Sequence, residues 1–109
     1  MKTINKPRLI QDYEKLSKEI QEQIKLYYPE GYEEYLIEFK NTKGEQVSAL
    51  PFETEDKVYM VRMSVRKAQQ LVEDDSDFDD EGNLLDSRKE KYEERYSNLD
   101  YLTNDTDNE

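Results

Sequence analysis

The chain has no cysteine and no histidine. The first absence excludes disulfides, thiolate zinc sites and cysteine nucleophiles. The second removes the commonest general base and the commonest transition-metal ligand. Glycine is scarce: Gly31, Gly44 and Gly82 stand alone and far apart. They build neither a P-loop nor a dinucleotide fingerprint. No run approaches the roughly 20 apolar residues of a membrane span. Met1 to Ile10 carries two lysines and an arginine but no apolar stretch, so no signal peptide is expected. These absences point to a soluble, cytoplasmic protein with no cofactor.

Apolar residues are also few, 34% against 39% charged, in a chain of 109. That length suits one compact domain. A modest core holds only if part of the chain stays outside it, since each ordered residue must offset its conformational entropy. The charge is lopsided. Residues 1–72 hold 12 Lys/Arg and 12 Asp/Glu, while residues 73–109 hold 4 and 15, the whole of the net −11. The expectation is a small domain over 1–75, an acidic loop and charged helix over 76–102, and a disordered tail over 103–109. Net negative charge argues against direct binding to nucleic acid or to anionic membrane, both of which need clustered cations.

From Pro7 to Tyr28, Leu9, Tyr13, Leu16, Ile20, Ile24 and Tyr27 recur at helical spacing, which predicts one amphipathic helix. Pro29 and Gly31 end it. Tyr35, Ile37 and Phe39 alternate with Leu36, Glu38 and Lys40, the pattern of a strand with one buried face. Asn41 to Gly44 reads as a hairpin turn, with Gly44 suited to a left-handed position. Val47 to Phe52 forms a second strand, whose Pro51 asks for an edge or a strand end. Val58 to Met63 forms a third. Ser64 is a natural N-cap for a helix from Val65 that ends near the carboxylates Glu73 to Asp75. Leu85 to about Leu102 is a charged helical pattern with a narrow apolar stripe. The fold class predicted is α+β: an N-terminal helix, a three-stranded antiparallel meander, a second helix, then an acidic loop and a marginal C-terminal helix.

The acidic loop invites a metal reading. Asp77, Asp79 and Glu81 fall at positions 1, 3 and 5 of an EF-hand-like loop, with Gly82 at position 6. Alternate carboxylates of this kind can converge on Ca²⁺. Position 12, which needs a bidentate Glu, is Arg88. The competing reading is a solvated acidic loop. Carboxylate pairs for acid/base catalysis are unavoidable among 27 Asp/Glu, yet no pocket loop or nucleophile turn accompanies them, so no enzyme is expected. Of nine tyrosines, Tyr13, Tyr27, Tyr35 and Tyr59 read as half-buried core. Tyr92, Tyr96 and Tyr101 lie in the acidic segment, as interface anchors or as staples for the last helix.

MKTINKPRLIQDYEKL, YPEGYEEYLIEFKN and ALPFETEDKVYMVRM resemble stretches of uncharacterised small acidic proteins of Bacteroidetes-type bacteria. The resemblance covers residues 1 to about 82. Some of those proteins carry a DNA primase label, but this sequence has no zinc-ligand set and is too short for a polymerising domain. The resemblance implies a bacterial cytoplasmic origin and supplies no active-site residues.

The functional expectation is a non-enzymatic interaction or regulatory module. Its acidic third would engage a basic partner protein through Asp74, Asp75, Asp77, Asp79, Asp80 and Glu81, with Tyr92 and Tyr96 as anchors. A nucleic-acid-binding partner would meet spaced anions that imitate phosphates. The alternative is a divalent-ion site at Asp77, Asp79 and Glu81. The oligomeric state is left open.

Overall fold

A computed structural model describes residues 6–102; the tail expected to be disordered, 103–109, lies outside them. In chain order it forms β1 (Arg8–Asp12), α1 (Lys18–Tyr27), β2 (Ile37–Lys40), β3 (Gln46–Glu53), β4 (Val58–Arg62), α2 (Val65–Glu73) and α3 (Asp86–Arg95). Short 3₁₀ turns occupy Tyr13–Lys15, Glu33–Tyr35 and Asp100–Leu102. The class is α+β. The meander is present as β2–β3–β4, but the sheet has four strands and is mixed. Its order is β1-β4-β3-β2, with β1 parallel to β4.

The added strand corrects the long N-terminal helix predicted from Pro7. Leu9, Tyr13 and Leu16 match helical spacing, but the helix starts only after Ser17, whose hydroxyl accepts the Ile20 amide at 3.2 Å. Upstream, Leu9 pairs with Tyr59 and Ile10 with Met60. Without β1, the outer edge of β4 would present a row of unpaired N–H and C=O groups. Pairing outweighs the weak local preference for helix. Tyr35 is a second correction: it lies in a 3₁₀ turn rather than a strand, and is 45% exposed.

Elsewhere the local signals hold. Ser64 caps α2 by accepting the Lys67 amide at 3.0 Å, and α2 ends at Glu73. Gly44 takes φ +81° in the β2–β3 hairpin, where the Asn41 side chain accepts the amides of Lys43 and Glu45. The β2 ladder ends at Ala49, so Pro51 sits where β3 has β4 alone as a neighbour. There its missing N–H breaks no bond to β2.

The core lies on the sheet face that carries Leu50, Phe52 and Val61, under α1 and α2. Ile24, Tyr32, Leu50, Phe52 and Val61 are almost fully buried. Each such side chain contributes about 1.5–3 kcal/mol by leaving water. Phe78 and Leu84, from the acidic segment, belong to the same core, and Tyr101 and Leu102 pack against it. The segment expected to stand outside the domain is thus folded into it. The last helix, expected to run to about Leu102, stops at Arg95 and docks on α1. Among the described residues no helix is long and apolar enough to cross a membrane.

Candidate functional site

Residues 74–85 fold as a compact turn, each part held by a carboxylate or a backbone bond. Asp75 accepts the Asp77 amide at 2.9 Å. Asp79 Oδ1 accepts the amides of Glu81 and Asn83, both at 2.9 Å, around Gly82 at φ +85°. Asp and Asn favour such turns because their short side chains reach backbone amides two residues on. The Leu84 amide donates to the Pro29 carbonyl at 2.7 Å. That bond lays the acidic turn alongside the Pro29–Tyr35 loop.

This geometry corrects the calcium reading. Asp77 does not face the same way as Asp79 and Glu81; it turns inward and is 8% exposed. Lys25 Nζ donates to it at 2.9 Å and the Tyr92 hydroxyl at 2.6 Å, and Arg88 Nε lies 3.2 Å away. Arg88, the cation at the expected ligand position, is instead a partner of the first carboxylate. Asp79 Oδ1 is occupied by the turn. Among the described residues no three Asp or Glu gather as metal ligands.

The tyrosine anchors are corrected too. Tyr92 and Tyr96 are 5% and 8% exposed. They face inward because α3 has little other apolar surface to dock with. The Tyr96 hydroxyl donates to Glu22 at 2.7 Å, beside Arg95 Nη1 at 2.6 Å. The Tyr101 hydroxyl donates to Gln23 at 2.8 Å. Tyr96 and Tyr101 staple the C-terminal segment to α1 directly, and Tyr92 does so through Asp77, which Lys25 of α1 also holds. Asp75 is also engaged, 2.7 Å from Lys25 Nζ. Asp74 caps α2 and borders a separate depression beside Lys67 and Gln70.

Burial raises the Asp77 carboxyl, but the Tyr92 hydroxyl, Lys25 and Arg88 outweigh it and hold the group below its usual range. Glu22 behaves alike: burial raises it, and Tyr96 and Arg95 bring it down. Burial and then the facing carboxylate push both Tyr92 and Tyr96 up to about 12. Depressed carboxylates stabilise the fold above the unfolded value of about 4, and that stability is lost as pH falls through the lower folded values. Urea midpoints should therefore drop as pH is lowered through and below about 4. The drop should be shallower in an Asp77→Asn/Glu22→Gln variant. Parallel curves for the two proteins would show that other groups govern acid unfolding.

What remains of the expected acidic surface is Asp79, Asp80 and Glu81. The fold joins them to carboxylates from elsewhere. Between the Pro29–Tyr35 loop, α2 and the acidic turn runs a groove of about 680 Å³. Its rim carries Glu30, Glu33, Glu34, Glu73, Asp79, Asp80 and Glu81, and its lining contains no lysine or arginine. Among the described residues none of these seven takes part in an ion pair. Ala68, Val72, Phe78 and the exposed Tyr35 give the groove an apolar floor and one aromatic wall. Gly31 and Gly82, both at positive φ, shape the two turns that meet across it. Glu30, Glu33 and Glu34 were missed in the sequence because they lie in its neutral two-thirds. Their run, EGYEE, is the local signal that averaging over 72 residues hides.

Comparison with family models, with curated proteins and with solved structures gave no match.

Proposed function

We propose that this protein is a non-enzymatic interaction module that receives a basic segment of a partner protein in the acidic groove. The observation that carries this reading is the set of seven rim carboxylates around an apolar floor, with no cation in the lining. Carboxylates that share a concave surface focus their field and attract cations from solution. The floor adds what charge alone lacks. Lysine and arginine stems bury readily against apolar side chains such as Val72 and Ala68. A guanidinium can also stack on the exposed Tyr35 ring. The volume lies within the range of sites that enclose a few side chains.

The reading predicts site-specific rather than global electrostatics. Binding of an arginine-rich peptide to a Glu33→Lys/Glu34→Lys variant should weaken by about tenfold or more, roughly 1.4 kcal/mol or above. A Glu90→Lys/Glu93→Lys control, with the same charge change on α3 outside the groove, should bind nearly as the parent does. Fluorescence anisotropy at two ionic strengths would test both, and affinity should fall with salt. Equal loss in the two variants would leave only net charge and would reject the groove.

A further inference from the structure

The cations of the C-terminal segment are not scattered among its acids. Arg88, Lys91, Tyr92 and Arg95 recur on α3 at i, i+3, i+4 and i+7, and so share one face. On α1, Lys18, Glu22 and Lys25 share a face by the same rule. The two faces meet. Lys25 and Arg88 both reach Asp77, while Glu22 takes Arg95, so the helices run antiparallel. Between them lies a cleft of about 330 Å³ lined by five cations and two carboxylates. The α3 acids Glu90, Glu93 and Glu94 do not line it.

The two carboxylates form the floor. Glu22 and Asp77 are 5% and 8% exposed and already engaged by the ion pairs above. The cations rise past them. The side chains of Arg88 and Arg95 stay 42% and 43% exposed while bonded. A guanidinium has five N–H donors, and one carboxylate bond leaves others to offer. Arg95 is further held over the Tyr92 ring at 5.6 Å. Among the described residues no ion pair reaches Lys18 or Lys91. The cleft is therefore a positive pocket, preorganised by buried anions, on a chain of net charge −11.

We infer that the α1–α3 cleft is a binding site for a small phosphorylated compound, with Arg88, Lys91, Arg95 and Lys18 gripping the phosphoryl oxygens. Two arginine forks, two turns apart along α3 and faced by the lysines of α1, match the oxyanions of a phosphorylated group better than a flat apolar surface would. The cleft is at the low end of small-molecule sites, which favours a compact, multiply charged group over a polymer. It is distinct from the acidic groove and independent of the partner proposed there.

Pyrophosphate is the probe. Titrated into the isotope-labelled full chain at about 150 mM salt, where long-range attraction is screened, it should give saturable amide shifts confined to α1 and α3. The Lys18→Gln/Lys91→Gln variant should raise the half-saturation point about tenfold or more, the equivalent of one such contact set. Neither lysine holds an ion pair, so folding should persist; the dispersion of the same spectra checks it, and Lys91→Gln alone offers the same readout. Lys89→Gln, outside the cleft, should leave the curve unmoved. Linear shifts without saturation, or equal weakening in the Lys89 variant, would overturn the site. A triglutamate peptide that saturates the cleft as tightly as pyrophosphate would overturn the phosphate assignment.

Discussion

Asp77→Ala should cost about 3–5 kcal/mol of folding stability, the range found when one partner of a buried ion pair is removed. Lys25 is mostly buried at this point, its side chain 13% exposed, and it would keep Asp75 alone. The buried Tyr92 hydroxyl would lose its acceptor. Arg88, more exposed, would turn to water at little cost. Against a total stability of about 5–15 kcal/mol, such a loss brings the protein near its folding threshold. Asp75→Ala is the informative companion. Its carboxylate is 21% exposed, Lys25 would retain Asp77, and the Asp77 amide would lose its acceptor, so about 1–2 kcal/mol is expected. Urea unfolding of both variants would measure the difference. Equal effects would mean that Asp77 is not the centre of the network.

Phe52→Ala should be as damaging, about 3–5 kcal/mol, because the cavity it leaves cannot collapse fully. Phe52 is 1% exposed near the C-terminal end of β3. Its ring meets Tyr27 of α1 at 5.8 Å and Tyr101 of the C-terminal turn at 6.2 Å, both edge to face. One side chain thus joins the sheet, the first helix and the end of the acidic segment. A double-mutant cycle with Tyr101→Ala should show a coupling of about 0.5–1.5 kcal/mol, the usual worth of such a ring pair. A coupling near zero would mean that the C-terminal segment is not held by this contact.

These two residues show different degrees of legibility in the sequence. Phe52 was placed in a strand by its neighbours, and burial follows once a helix covers that face. Asp77 was read as an exposed ligand of a loop, since nothing local distinguishes it from Asp79. Its inward turn depends on Lys25, fifty-two residues earlier, and on Tyr92, fifteen later. The tyrosines of the last helix were similarly ambiguous. A narrow apolar stripe serves a partner or the parent domain equally well, and only the positions of Glu22 and Asp77 select the domain. The N-terminal helix went wrong for the opposite reason. A genuine local pattern was overridden, because β4 had an edge to fill.

The charge imbalance was the clearest feature of the composition, and it too needed the fold. Summed along the chain it divides neutral from acidic. Folded, it divides differently: Glu30, Glu33 and Glu34 of the neutral part join Asp79, Asp80 and Glu81 in one groove, while the cations of α1 and α3 meet in another. The amino-acid sequence by itself determined the lack of thiol and imidazole groups, the hairpin at Asn41 to Gly44, the strands on either side of it and the Ser64-capped helix. Each of these rests on interactions within a few residues, which a linear pattern records. The tertiary structure alone decided the parallel strand β1, the burial of Asp77, Tyr92 and Tyr96, and the two opposed charged pockets. Those depend on pairing and desolvation between residues far apart in the chain, and spacing along a sequence carries no measure of either.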